Sequence, residues 1–169
     1  SILTMVKIKR YIASTTFSGF SMMELILIIV ILGIFATVAM TRTDSGLSTI
    51  REQIAIDQIT NDIDLAKSMA FGKHETISIV YSTNNESYTI YSGVGNDRHP
   101  ISDFPNSDNG VISLDNSTMR DVDLQSATFL NNSPELQFLP LGDPVSGGQI
   151  TLNTKTISIE PVTGKWTIN

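Results

Sequence analysis

From Leu25 to Met40 sixteen consecutive residues carry no charge, and nearly all are apolar. A run of this kind predicts a helix buried on every side or lying in lipid. Sixteen residues fall a little short of the roughly 20 that a bilayer core requires. Counting from Phe20 to Met40 gives 21 residues, and Glu24 then lies inside the span. Beyond Met40 the pattern changes: Leu47, Ile50, Ile54, Ile59, Ile63, Ala66 and Ala70 recur near helical spacing. They predict an amphipathic helix that packs this stripe on the rest of the domain, with Arg51, Glu52, Asp57, Asp62 and Lys67 on its other faces. Thr49-Ile50-Arg51-Glu52 has capping-box spacing, and Asp44-Ser45-Gly46 marks a candidate break or restart. Uninterrupted helix from Leu25 to Phe71 would be roughly 70 Å long at 1.5 Å per residue.

From Lys73 onward the period shortens to two. Thr76–Ser82 and Tyr88–Ser92 alternate and are joined by Thr83-Asn84-Asn85-Glu86-Ser87, which predicts a hairpin. Gly93 to Gly110 is rich in Gly, Pro, Asn and Asp and is expected to be an irregular loop. Further strands are predicted at Val111–Leu114, Val122–Phe129, Leu136–Leu139, Gln149–Leu152, Thr156–Glu160 and Lys165–Ile168, the last three as an antiparallel meander. The expected fold class is α+β: a long N-terminal helix, half membrane-spanning and half amphipathic, packed on an antiparallel β domain.

Composition sharpens this picture in two ways. The net charge of −6 is unevenly spread: residues 1–19 hold Lys7, Lys9 and Arg10 and no acid, while the rest holds 8 basic and 17 acidic residues. An acidic body argues against a nucleic-acid partner, since phosphate binding needs basic clusters. The absence of cysteine excludes disulfides, thiolate catalysis and cysteine-ligated zinc.

Glu24 is the oddity of the N-terminal segment. A secretory signal would explain the basic start and the apolar run, with Thr37-Val38-Ala39 as a weak cleavage site, but such signals rarely put an acid at the head of the apolar block. A plain anchor leaves Glu24 unexplained, because a carboxylate within the bilayer costs on the order of 3 kcal/mol. Read as one motif, Gly19-Phe20-Ser21-Met22-Met23-Glu24 behind a basic leader resembles the prepilin processing site of type IV pilins and type II secretion pseudopilins. The resemblance implies cleavage by a prepilin peptidase between Gly19 and Phe20, N-methylation of Phe20, and an assembly salt bridge from Glu24 to the new amine on a neighbouring subunit. Two physical effects agree with a carboxylate there: the positive end of the helix dipole, and closeness to the membrane face that holds the leader's Lys and Arg. The leader is expected to begin at Met5, with residues 1–4 as upstream read-through.

The C-terminal stretch is similar to the end of GspH/FimT-like minor pilins, in Phe138, Gly142, Gly147, Gly148, Thr163 and Gly164, where glycines would supply positive-φ turns. Many major pilins carry a proline before the apolar helix ends. This chain has none there, and Gly33 is the one flexible point within the block. The resemblance thus implies a cleaved leader at 1–19, a long helix at 20–72 with its transmembrane part at about 20–41, and a β-rich head at 73–169. It further implies a structural minor subunit, not an enzyme, in a pilus or pseudopilus, acting in a tip or priming complex. Expected partners are other pilin or pseudopilin subunits, the prepilin peptidase and the inner-membrane assembly platform. The expected location is the bacterial inner membrane with the head in the periplasm, then the filament. No cofactor and no metal are expected. The competing class is a single-pass membrane-anchored periplasmic binding module that uses the Gly93–Gly110 loop.

Other chemistry is thin. His74 and His99 are isolated, without a nucleophile at triad spacing. Asp97, Asp103, Asp108 and Asp115 make a loose acidic loop that fits no EF-hand. Gly93-Val94-Gly95 lacks the third glycine of a dinucleotide loop, and the glycosylation triplets at Asn85 and Asn116 have no weight in a bacterial setting.

Overall fold

The computed structural model describes residues 19–169, apart from the side chains of residues 40–45. The expected leader up to Ser18, and the expected start at Met5, lie outside the described residues. The chain divides into two compact units, Ser1–Arg42 and Thr43–Asn169. One helix, α1 (Met22–Lys73), runs through the boundary between them. Asp44-Ser45-Gly46 does not interrupt it, and Thr49–Glu52 lies in its interior instead of capping a new start.

The first unit is the apolar part of α1. Met22–Ala39 is long and apolar enough to cross a membrane, with a mean hydropathy of 2.7 and none of the window buried. Thr37 returns its hydroxyl to the Gly33 carbonyl at 2.6 Å, so the one glycine of this block sits under a side-chain-to-backbone bond.

The second unit folds around the rest of α1. Its strands are β1 (Ile77–Ser82), β2 (Ser87–Ser92), β3 (His99–Pro100), β4 (Val111–Ser113), β5 (Ser126–Thr128), β6 (Glu135–Phe138), β7 (Gly148–Thr151), β8 (Thr156–Ile159) and β9 (Trp166–Ile168). They form two antiparallel sheets. One has the order β3-β2-β1-β6 with β4 also on β2, and the other has β5-β7-β8-β9. The fold is therefore α+β, as the period change at Lys73 predicts.

The β1–β2 hairpin pairs Ile77 with Ser92 and Ser82 with Ser87. Its turn is one 3₁₀ turn (Thr83–Asn85) closed by Glu86 at φ 45°. Glu86 then ties the turn down: its carbonyl accepts from Leu114 N–H and its carboxylate from Leu124 N–H. The expected antiparallel meander is present as β7–β8–β9, with Ile150 opposite Ile157 and Ile157 opposite Ile168. Two strand expectations need correction. Val122–Phe129 contributes only Ser126–Thr128 to a ladder, because the Asp123 and Leu124 amides bond to the side chains of Asn153 and Glu86 instead of to a neighbouring strand. Within the Gly93–Gly110 loop, His99–Pro100 forms a short pairing on the edge of β2, where a proline is tolerated.

The core is one apolar cluster that takes Ala55, Ile56, Ile59, Ile63, Ala66 and Ala70 from α1 and Ile77, Ile79, Ile90, Leu136, Phe138, Ile150 and Ile157 from the sheets. Each such isoleucine or leucine contributes on the order of 2 kcal/mol by leaving water. The predicted stripe is right from Ile59 onward and wrong before it. Leu47, Ile50 and Ile54 are 42%, 57% and 38% exposed, and the positions turned inward are Glu52, Ala55 and Ile56. Glu52 and Asp62, expected on outer faces, are both buried.

The glycines act in two ways, not one. Gly142 (φ +83°) and Gly164 (φ +64°) hold left-handed turns, as expected. Gly147 and Gly148 instead allow close approach: a Cβ on Gly147 would come 2.6 Å from the Ile159 carbonyl oxygen, and one on Gly148 would overlap the Thr128 carbonyl and the Phe129 ring.

Candidate functional site: the head of the apolar helix

Gly19, Phe20 and Ser21 precede α1 in non-helical backbone. Phe20 is 73% exposed, and a Cβ on Gly19 would meet nothing within 4 Å. Ser21 is the N-cap. Its carbonyl accepts from Leu25 N–H at 3.2 Å, and its hydroxyl accepts from Glu24 N–H at 3.2 Å. Glu24 is therefore the third helical residue, with its carboxylate in the first turn, where the helix dipole favours an anion. Among the described residues the ion pairs are Arg51–Asp121 at 2.8 Å and Arg98–Glu135 at 3.1 Å, so neither involves Glu24. The three residues singled out in the sequence thus lie within six positions: an open peptide bond, then a cap, then an acid at the head of an apolar helix.

A second arrangement, which the sequence reading missed, joins α1 to both sheets through buried carboxylates. Glu52 accepts from the Thr154 amide at 2.7 Å, the Thr154 hydroxyl at 2.8 Å and the Lys155 amide at 3.1 Å, all at the β7–β8 turn. Asp62 accepts from the Tyr88 hydroxyl of β2 at 2.5 Å and from Gln58 Nε2 at 2.9 Å. Burial pushes the Asp62 carboxyl above its ordinary range, and the bonds from Tyr88 and Gln58 recover part of that shift. Burial and the Asp62 charge together push the Tyr88 and Tyr81 phenols upward, so both stay protonated and Tyr88 donates to Asp62. The rings of Tyr81 and Tyr88 lie 5.5 Å apart across the hairpin, and Tyr81 stacks on Phe129 at 5.9 Å.

His74 ends α1 at φ 55°, a left-handed position that stops the helix. His99 lies on the rim of a polar cleft of about 510 Å³, lined also by Lys73, Glu75, Ser92, Ser102 and Asp103. Among the described residues no group of three His, Cys, Asp or Glu side chains is placed to hold a metal ion.

No protein-family model matches the chain. No curated protein matches it either. Two solved structures do, both of the type IV minor pilin FimU of Pseudomonas aeruginosa (strain PAO1) in different crystal forms. One is 14% identical, with a TM-score of 0.46 over 69% of this chain and 87% of that one. The other is 13% identical, with a TM-score of 0.44 over 69% of this chain and 91% of that one.

Proposed function

We propose that this chain is a structural minor subunit of a type IV pilus or of a type II secretion pseudopilus, anchored by α1 before assembly and carried into a filament afterwards. The observation that carries the reading is the sequence of features at one helix start: the exposed Gly19–Phe20 bond, then Glu24 in the first turn, then the apolar span Met22–Ala39. In this reading residues 1–19 are a leader removed by a prepilin peptidase, 20–72 the assembly helix and 73–169 the head. The Phe20 amine freed by cleavage is cationic at neutral pH. Phe20 is then methylated, and its amine meets Glu24 of a neighbouring subunit during assembly. An uncompensated carboxylate in an apolar filament core is penalised heavily, so this pairing sets the axial register between subunits. The exposed residues Leu47, Ile50 and Ile54 support the same reading, since they give the helix an apolar face that its own head leaves uncovered. The head stays in the periplasm, and low-copy subunits of this kind join other minor pilins in a tip or priming complex through the inner-membrane platform.

Mass spectrometry and N-terminal sequencing of the mature protein test this. The expected product starts at an N-methylated Phe20. A chain that keeps its basic leader in the membrane contradicts the reading. It favours instead an anchored binding module, for which the polar cleft around His99 and Asp103 is a candidate feature.

A further inference from the structure

We propose that Ser21 is a positioning residue for processing of this chain: by capping α1 it keeps the Gly19–Phe20 peptide bond outside the helix, where a peptidase can hold it. The proposal rests on the reading of the N-terminal segment given above. Its geometric basis is the double role of Ser21, whose carbonyl enters the helical ladder through Leu25 N–H while its hydroxyl takes Glu24 N–H at 3.2 Å. That combination defines an N-cap, and Ser21-Met22-Met23-Glu24 has the spacing of a capping box. Helical backbone therefore starts at Met22, two residues after the bond to be cut.

The consequence is chemical. Hydrolysis adds water across the bond: the Gly19 carbon takes the hydroxyl, the C–N bond breaks, and the proton goes to the Phe20 nitrogen as the amine leaves. The attack needs an accessible carbonyl face and a nitrogen free to accept a proton. Inside a helix, carbonyls are drawn into the ladder and the backbone is curled away from an extended binding cleft. Gly19 and Phe20 escape this while Ser21 holds the cap. Without the hydroxyl the preference changes. Alanine is the best helix former, and glycine is itself an acceptable N-cap, so Ser21→Ala favours a helix that begins from Gly19 and takes Phe20 into its first turn.

The test uses the full-length precursor, co-expressed with a prepilin peptidase and followed by pulse-chase as the ratio of precursor to processed chain. Ser21→Ala is expected to slow processing about five-fold, the rate equivalent of a lost cap. Ser21→Thr and Ser21→Asn, which keep a capping oxygen, are expected to stay within about two-fold of the wild type. Unchanged processing of Ser21→Ala overturns the proposal. Equal slowing of all three variants also overturns it, because the peptidase would then be reading the serine itself and not the cap. A wild-type chain left uncut at Gly19–Phe20 removes the underlying reading, which N-terminal sequencing of the same sample distinguishes from failure of the capping argument alone.

Discussion

The phenolic oxygen of Tyr88, on β2, lies 2.5 Å from a carboxylate oxygen of Asp62, on α1. Both residues are buried, at 1% and 4% exposure, and among the described residues neither ion pair involves the carboxylate. Among the described residues it accepts from the Tyr88 hydroxyl and the Gln58 amide. The bond is thus a directional peg between helix and sheet in a core that is mostly apolar.

Removing either half of this peg should destabilise the head. Tyr88→Phe leaves a buried carboxylate with Gln58 only, and Asp62→Ala leaves a buried phenol unpaired, so each is expected to cost about 2–3 kcal/mol in denaturant melts. Tyr81→Phe is the control. Among the described residues the Tyr81 hydroxyl is buried without a hydrogen-bond partner, so its loss should leave stability unchanged or raise it by about 1 kcal/mol. A Tyr81→Phe protein weaker than Tyr88→Phe would show that the peg is misassigned.

The same pair sets a pH dependence. The Asp62 carboxyl titrates higher in the folded head than in the unfolded chain, so between the two values the folded state holds more protons. The contribution of Asp62 to stability is therefore greatest below the ordinary carboxylate range. It declines as pH rises through the shifted folded value, and is flat above it. Asp62→Asn keeps an acceptor for Tyr88 and removes the titration. Melts across the acid range should show that the wild type loses this increment on going toward neutrality, while Asp62→Asn does not.

These buried acids also show what the sequence could and could not yield. The helix, its end within about two residues of Lys73, the β1–β2 hairpin and the final meander follow from periodicity and turn residues, which are local properties. The inward face of α1 does not follow from choosing isoleucines. Positions 52, 55, 56, 59, 62, 63, 66 and 70 form one stripe at helical spacing, and it includes two carboxylates. Hydrophobicity alone replaces those with Leu47, Ile50 and Ile54. The partners that make burial of Glu52 and Asp62 tolerable lie about 102 and 26 residues away, so no local signal marks them. The proposed processing motif can be read locally because Gly19, Phe20 and Glu24 sit within six residues. Ser21 stands in the same stretch, and its place as the helix cap follows only from the hydrogen bond it accepts from Glu24 N–H.

Glu52 should behave as a second peg. Glu52→Ala strips the acceptor from two amides and a hydroxyl at the β7–β8 turn and is expected to cost about 3 kcal/mol. Amide hydrogen exchange at Thr154 and Lys155 should quicken more than exchange in the β1–β2 hairpin. Uniform quickening across the head would instead mean that Glu52 does no more than fill space.

Gly148→Ala is expected to be among the most damaging changes in the head. The added Cβ overlaps the Thr128 carbonyl oxygen and the Phe129 ring, and β7 cannot retreat without leaving β8. A cost of about 2–3 kcal/mol is in keeping with overpacking against backbone. Gly95→Ala, at φ +58° but with nothing within 4 Å, should cost less, about 1 kcal/mol.

Glu24 has two separable jobs in the proposed function, and substitutions can divide them. As the third residue of α1 it occupies the sequence position of the reciprocal half of a capping box, in which an acid accepts from the N-cap amide. As a charge it is proposed to pair with the Phe20 amine of another subunit. Glutamine suits the first job and fails the second; alanine fails both. Glu24→Ala and Glu24→Gln should both be cut at Gly19–Phe20, because the Ser21 hydroxyl cap survives in each. Both should also fall at least about ten-fold in filament incorporation, as expected for a lost ion pair in a medium of low dielectric. Immunoblots of sheared filaments against the membrane fraction give the ratio. Normal incorporation of Glu24→Gln would show that the carboxylate's charge has no part in assembly, and would leave capping as the sole reason for an acid at this position.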